Sequence, residues 1–330
     1  MLFFNSLIMG TMISISSYNW FMMWIGLEIN LLSIIPLFKS HLNSFPVEAT
    51  LKYFITQALA STIILFTIII SMNLNEFLYN YNYWLMMILN SALLTKLGAA
   101  PFHFWFPEVM EGLNWLNSLM LLTWQKLAPM ILLMYNLNMS MFFSMIIIMS
   151  SIVSGIFGIN QVSLRKILSY SSINHIAWML SSMLNMKNIL LIYFFIYSII
   201  SINIILIFYH LNIFFIPQLF MFLNKNKMIK LLFIFNFFSL GGLPPFLGFF
   251  PKWLVINNLT ENNFFNLSMI LIISTLITLF YYIRLTLSSM TMNYEESLIF
   301  VSNIKKYKII IFNMISILSL IICTNIFSNF

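Results

Sequence analysis

The sequence predicts an all-α polytopic membrane protein of about eleven transmembrane helices. Three observations predict it. Of the 330 residues, 61% are hydrophobic and only 7% charged, whereas a soluble domain carries about 25% charged residues and cannot cover its surface with fewer. Apolar runs of membrane-spanning length, about 20 residues each, recur along the whole chain. The basic residues fall almost entirely on one side of the resulting map.

Composition removes several function classes. The eight acidic residues are all Glu, and the formal net charge is +7. The cations are scattered among apolar runs and form no nucleic-acid stripe. One cysteine, Cys323, supports neither a disulfide framework nor a four-thiolate iron–sulfur cluster, and a structural zinc site is equally unsupported. No GxGxxG or Walker A string is present. No Lys or Arg precedes Lys39, so neither a secretory signal nor an Arg-rich transit peptide is expected. The chain is expected to enter its membrane from the side where it is made. Abundant Asn without Asp, with 35 Phe and 25 Met, fits an A+T-biased organellar genome.

The spans run in order 2–18, 19–38, 49–71, 83–112, 115–136, 139–159, 163–183, 188–211, 229–259, 262–287 and 308–328. The longer connections are 39–48, 72–82, 212–228 and 288–307, and none is polar enough for a soluble domain. With eleven spans, the side shared with the N-terminus receives Lys39, Lys52, Arg165, Lys166, Lys225, Lys227, Lys230, Arg284, Lys305, Lys306 and Lys308. The other side receives Lys187 alone. This positive-inside bias puts the N-terminus in the cytoplasm or matrix and the C-terminus across the membrane.

Two spans are too long. Residues 83–112 and 229–259 would each make a helix of roughly 45 Å, against a hydrocarbon core of about 30 Å. Both contain breakers, Leu97-Gly98-Ala99-Ala100-Pro101 and Leu240-Gly241-Gly242-Leu243-Pro244-Pro245. Both read L-G-x-x-P, 143 residues apart. Proline removes a backbone donor and clashes with the preceding turn, so each helix is expected to be interrupted. These are the fourth and ninth spans, which cross in opposite directions. Paired broken helices of this kind point to an inverted-repeat transporter of two five-helix halves with one added C-terminal helix. The chain then reads as one transmembrane domain, with halves 1–137 and 138–287 and a C-terminal part 288–330. The charges do not repeat with the helices. In this register Lys96 aligns with Ser239, and Lys252 with Val109.

Four charges remain inside spans: Glu28, Lys96, Lys126 and Lys252. A charge at mid-bilayer costs at least about 2.5–3.5 kcal/mol on insertion scales. A buried lysine near a movable partner can load and release a proton, so the four read as a proton or ion path. Pro129 leaves the carbonyl of Gln125 without a helical partner, available to a water beside Lys126. The alternative is a set of static ion pairs that fix helix register. His103 follows the Pro101 break, and His175 lies in Ser171-Ser172-Ile173-Asn174-His175. Both fit relay groups, and both equally fit histidines bonded in a helix interface. His41 and His210 lie near span ends and read as ordinary; four histidines on separate elements make bis-histidine haem ligation a weak rival. Gly155 and Gly158 indicate close helix packing. Tyr18, Trp20, Tyr83, Trp84 and Trp115 fit an interfacial aromatic belt. Glu108 and Glu111 read as capping or docking groups.

Several of these strings resemble one family: Gly26-Leu27-Glu28-Ile29-Asn30, Lys96 through Trp105, Thr123-Trp124-Gln125-Lys126-Leu127-Ala128-Pro129, Ser171 through His175, and Gly241 through Phe246 with Pro251-Lys252-Trp253. The chain is similar to the subunit-2 family of antiporter-like membrane subunits of mitochondrial respiratory complex I, the NADH dehydrogenase (ubiquinone), and its composition is similar to insect versions. The resemblance runs in order from residue 26 to 253. It implies a core subunit of a proton-translocating NADH:ubiquinone reductase in the mitochondrial inner membrane, N-terminus in the matrix and C-terminus in the intermembrane space. It implies that Glu28 and Lys96 form a charge pair that senses the neighbouring subunit. Lys126 would be the central relay lysine, and Lys252 the one that hands on to the next antiporter-like subunit. His103 and His175 match histidines of the family's hydrophilic axis. The family binds no cofactor in this subunit; NADH, FMN, iron–sulfur clusters and ubiquinone belong to other subunits. Implied partners are subunits 4 and 4L, the lateral helix of subunit 5, supernumerary subunits, and lipids including cardiolipin, with no nucleic acid. Bacterial members have fourteen spans, so three N-terminal spans are absent here while the charged axis is retained. A stand-alone cation/proton antiporter of the related fold, or a structural subunit with static ion pairs, remains the competing reading.

Overall fold

The computed structural model describes residues 2–38, 44–74, 79–137, 139–223, 227–244, 246–291 and 313. All the named elements are helices: α1 Leu2–Ser16, α2 Trp20–Phe38, α3 Ser44–Leu74, α4 Tyr79–Leu97, α5 Trp105–Gly112, α6 Trp115–Leu122, α7 Trp124–Leu133, α8 Ser140–Ile159, α9 Leu164–Met183, α10 Lys187–Leu211, α11 Ile216–Leu223, α12 Lys227–Gly241, α13 Phe249–Glu261 and α14 Phe265–Thr291. Among the described residues, six stretches can cross a membrane by length and apolarity: Trp20–Phe38, Ser44–Met72, Trp115–Leu133, Ser140–Ile159, Lys187–Leu211 and Phe265–Ser289. Leu2–Ser16, Tyr83–Leu97 and Met228–Gly241 are shorter apolar helices. The eleventh predicted span, 308–328, lies outside the described residues apart from Asn313, as do Lys39, His41, Lys225, Lys305, Lys306, Lys308 and Cys323.

The chain divides into two compact units, Met1–Met149 and Ser150–Phe330. In the first, α1 and α2 pack along their length. Small residues make that approach possible, as expected where lipid supplies no hydrophobic drive between helices. An ideal Cβ on Gly26 would lie 2.6 Å from the Ser14 amide nitrogen and 2.8 Å from the Gly10 carbonyl oxygen. Ser14 and Thr11 are buried at the seam, and their hydroxyls donate to carbonyls of their own helix, Ser14 to Thr11 and Thr11 to Ile8, both at 2.8 Å. Helix α3 packs on α2, α4 and α5, and α7 packs on α4 and α1.

In the second unit α9 is the central helix. Every residue from Ser171 to Met183 is buried, on all faces. A helix buried all round is usually apolar. Here it carries Ser171, Ser172, Asn174, His175, Ser181 and Ser182. Around it pack α10, α13 and α14, while α12 packs on α10 and α14. A single antiparallel bridge, Ser163 to Phe215, ties the entry of α9 to that of α11. Arg165 lies over the Phe214 ring there, at 4.7 Å.

The outer surface is the apolar one. On α3, Leu51, Ile55, Leu59, Ile63, Phe66 and Ile69 are exposed at helical spacing; on α14, Met269, Ile273, Leu276 and Phe280 are. Polar side chains point inward. That inversion of the soluble pattern is what a lipid solvent selects.

Three features depart from the sequence reading. The fifth predicted span, 115–136, is interrupted at Thr123, which separates α6 from α7. The connection 212–228 contains its own helix, α11. Helix α3 extends beyond the predicted 49–71 at both ends, and Lys52, near its start, forms an ion pair of 2.6 Å with Glu108 of α5.

Gly26→Ala forces its methyl into the backbone of α1, which cannot yield as a side chain can. We expect a loss of about 1–3 kcal/mol, read as a lower thermal midpoint of the purified protein. Gly155→Ala, whose methyl would meet the Ile277 side chain at 3.3 Å and backbone, at the Ser274 carbonyl oxygen, only at an ordinary 3.7 Å, should cost less in the same measurement.

Candidate functional site

The first unit holds a small, partly open polar cavity, with Asn30, Tyr53, Gln57, Lys96, Gln125 and Lys126 among its walls. Lys96 lies in the last turn of α4, where a cation meets the negative end of the helix dipole. The helix stops immediately after it. Gly98 adopts φ +76°, and the amides of Gly98 and Ala99 both donate to the Leu94 carbonyl, at 3.0 and 3.2 Å. That left-handed turn is a glycine cap. Across the break, Trp105 of α5 returns a hydrogen bond from Nε1 to the Thr95 carbonyl at 3.0 Å.

Lys126 comes from α7, just beyond the Thr123 interruption. The Thr123 hydroxyl donates to the Leu119 carbonyl at 2.8 Å, and the Lys126 amide takes the Thr123 carbonyl at 3.2 Å, one residue short of the α-helical partner. Only 2% of Lys126 is exposed, and its Nζ lies 5.6 Å from the centre of the Phe106 ring, a cation–π distance.

The same cavity is lined by a chain of neutral dipoles. The Tyr53 hydroxyl donates to Gln125 Oε1 at 3.3 Å, and Gln125 Nε2 donates to Asn30 Oδ1 at 2.8 Å. Gln57 Nε2 is buried with no hydrogen-bond partner in the protein. A polar cavity with such groups can hold water, which needs two to four partners. Glu28 is half-buried on α2 and within electrostatic reach of Lys96, but no ion pair within 4.0 Å joins them.

The second unit repeats the glycine cap. Gly242 has φ +76°, and the amides of Gly242 and Leu243 both donate to the Phe238 carbonyl, at 3.1 and 3.3 Å. The matching turns relate Gly98 to Gly242 and Leu94 to Phe238, an offset of 144 residues rather than the 143 read from L-G-x-x-P. The hydrogen bonds follow the glycine that takes positive φ, not the one after leucine. Lys252, in the first turn of α13, reaches back across this break. Its Nζ donates to the Gly241 carbonyl at 2.9 Å and approaches that of Leu240 at 3.4 Å, and it lies 5.9 Å from the Trp178 ring centre. His175 is buried on α9, its Nδ1 2.9 Å from the Tyr193 hydroxyl.

The structure thus brings Lys96 and Lys126 to one cavity, with Glu28 nearby, and places Lys252 and His175 in the second unit. His103 is buried in the turn between α4 and α5, 3.3 Å from the Pro101 carbonyl and against the Phe104 ring, and is not on the cavity wall. Sequence reasoning passed over Tyr53, Gln57 and Asn30 as site residues. A signal existed, because Tyr53 and Gln57 are polar groups one helical turn apart within an apolar span. Among the described residues no group of three His, Cys, Asp or Glu could hold a metal ion.

Broken apolar helices that bring buried lysines to polar pockets define a polytopic protein of the antiporter type. The family described as NADH:quinone oxidoreductase/Mrp antiporter, transmembrane, matches residues 17–278, and the chain belongs to it. It is 50% identical over 199 residues to NADH-ubiquinone oxidoreductase chain 2 of Anopheles gambiae, 58% of this chain and 57% of that protein. It is 51% identical over 197 residues to the protein of the same name from Locusta migratoria, 59% of this chain and 57% of that one. The matched stretch therefore spans little more than half the length of these relatives. In fold, the chain is similar to one in respiratory complex I from Thermus thermophilus, with TM-score 0.86 and 21% identity over 97% of this chain and 77% of that one. It is also similar to a chain of the Mrp complex from Dietzia sp. DQ12-45-1b, with TM-score 0.74 and 14% identity over 85% and 58%.

The two adjacent glycines of the second break have separable roles. An ideal Cβ on Gly242 would lie 2.9 Å from Lys252 Cδ, whereas on Gly241 it meets Tyr282 at an ordinary 3.6 Å. Gly242→Ala also places alanine in the left-handed region, at about 1–2 kcal/mol. We expect Gly242→Ala to lower the thermal midpoint of the purified protein clearly more than Gly241→Ala does.

Proposed function

We propose that this chain is an antiporter-like membrane subunit of respiratory complex I and carries part of its proton path. The observation that carries the reading is the shared cavity: two lysines buried from different helices, lining one pocket with a hydrogen-bonded amide and phenol chain, in a member of the NADH:quinone oxidoreductase/Mrp antiporter family. NADH oxidation and ubiquinone reduction take place in other subunits, with their FMN and iron–sulfur clusters. This chain carries no redox centre.

The chemistry follows from charge in a poor dielectric. An ammonium at Lys96 is favoured by the end of α4 and by an ionised Glu28. Neutralising Glu28, or drawing its charge toward a neighbouring subunit, weakens the hold on the Lys96 proton. Water held by Asn30, Gln57 and Gln125 then offers that proton a route to Lys126. Pro129 leaves the Gln125 carbonyl free of a helical amide, a further acceptor beside Lys126. Static ion pairing fits less well, because among the described residues Glu28, Lys96 and Lys252 make no ion pair within 4.0 Å. In the second unit Lys252 and His175 serve the onward half of the path.

The same reading sets the surroundings. The chain is multi-pass in the mitochondrial inner membrane, eleven spans arranged as an inverted repeat plus one helix. Its basic loops and N-terminus face the matrix. Its neighbours are subunits 4, 4L and the lateral helix of subunit 5, with supernumerary subunits and cardiolipin at the lipid face. A stand-alone antiporter is the alternative, and the likeness in fold to a chain of an Mrp complex is its support. Mild-detergent purification from native membrane separates the two: the chain should migrate with NADH:ubiquinone reductase activity in a large assembly, and migration as a free transporter would overturn the complex I reading.

Lys126→Met removes the central ammonium while keeping the volume of the side chain. In the assembled complex we expect proton pumping coupled to quinone reduction to fall about tenfold or more, with amounts of complex unchanged on native gels. Undiminished pumping by the assembled variant would reject the relay role.

A further inference from the structure

We propose that four buried tyrosines of the second unit, Tyr193, Tyr197, Tyr281 and Tyr282, form a hydroxyl relay that passes protons between His175 and Lys252. The proposal rests on the proton-translocating function above and assigns the groups that carry it in this unit.

The groups adjoin one another from His175 to the carbonyl that holds Lys252. His175 Nδ1 is 2.9 Å from the Tyr193 hydroxyl, and its ring centre is 4.9 Å from that of Tyr197. Tyr282 is close enough to both Tyr193 and Tyr197 to interact with each electrostatically. Its ring centre is 4.6 Å from that of Tyr281. An ideal Cβ on Gly241, the residue whose carbonyl takes the Lys252 ammonium at 2.9 Å, would lie 3.6 Å from the Tyr282 ring. Gly158 makes room for Tyr281, since a Cβ there would lie 2.8 Å from the Tyr281 ring.

The phenols are not there for packing alone. All four are buried, with at most 3% of any of them exposed. The chain has 35 Phe against 14 Tyr, so phenylalanine is its ordinary aromatic filler, and it would occupy these positions without burying a hydroxyl. A buried hydroxyl is costly unless it is hydrogen-bonded. The hydroxyls of Tyr281 and Tyr282 lie near each other, and that of Tyr282 near Ser171, without meeting hydrogen-bond geometry. Nearby on α9, Trp178 Nε1 and Asn174 Oδ1 are likewise buried with no hydrogen-bond partner in the protein. Donors and acceptors gathered in this way are met by water, and waters bridge gaps too long for direct bonds.

Transfer needs no ionised tyrosine. Each phenol accepts a proton on its oxygen as it releases its own to the next acceptor, and it ends neutral. One proton leaves imidazolium His175 and one arrives at neutral Lys252 Nζ, or the reverse.

The test uses the assembled complex and three variants, Tyr193→Phe, Tyr282→Phe and Lys126→Met. Each phenylalanine keeps the ring and deletes only the hydroxyl. The expected result is about a tenfold fall in protons pumped per unit time for both phenylalanine variants. Coupled turnover should show a larger solvent deuterium isotope effect, and uncoupled NADH oxidation should be unaltered. A merely structural role would not move the isotope effect. Unchanged pumping in both phenylalanine variants, with Lys126→Met impaired, overturns the relay and leaves the subunit's function standing. Unchanged pumping in all three removes the reading on which it rests as well. Should a variant fail to assemble, a water-resolving structure of the unaltered complex decides. Waters within about 3 Å of the Tyr281 and Tyr282 hydroxyls, continuing to Lys252, support the relay, and a dry cluster overturns it.

Discussion

The hydrogen bond from Lys252 Nζ to the carbonyl of Gly241 joins two liabilities so that each offsets the other. A helix that ends leaves its last carbonyls without amide partners, and within a bilayer no water is at hand to satisfy them. A lysine in the same hydrocarbon needs acceptors. Set together, the ammonium caps the broken end of α12 and the broken end holds the ammonium. The arrangement depends on Gly242, since its φ of +76° turns the chain sharply and its missing Cβ lets the lysine stem pass. The end of α4 uses the same turn at Gly98, with Lys96 in the last turn of the helix itself.

Everything else in the fold keeps polar groups from becoming further liabilities. Most buried serines and threonines spend their hydroxyls on carbonyls of their own helix, as Ser169, Ser171, Ser172, Ser181 and Ser182 do along α9. Such side chains cost little in lipid and allow helices to approach closely. Against that background the polar groups that serve no helix are conspicuous. Two groups of them stand out, the amide-lined cavity around Lys96 and Lys126 and the tyrosine cluster beside His175. Selection for packing alone would have filled both with leucine and phenylalanine.

Much of the architecture was legible in the sequence because hydrocarbon imposes its costs residue by residue. The first ten predicted spans fall on helices, and the two expected interruptions fall at the glycines. The interruption at Thr123 was not legible. Thr123 is no breaker by type, and its hydroxyl bond to Leu119 is one that threonines make in unbroken helices as well. Pro129, which is a breaker by type, stays inside α7. The repeat was read one residue out of register for a related reason. Leucine and proline marked the motif in sequence, whereas the turn is decided by which glycine takes the left-handed conformation.

The sequence by itself determined that this is a helical membrane protein, where two of its helices break, and which four charges fall within its apolar spans. Each of those follows from a local cost: an apolar residue in water, a proline in a helix, an ammonium in lipid. Only the tertiary structure decided the company those charges keep. Whether Gln125 meets Asn30, or Tyr282 comes to Gly241, depends on how helices distant in sequence are rotated and how deeply they approach. That rotation is set by the sum of many small packing contacts. No single residue carries it, so the charged residues were visible in advance and their neutral partners were not.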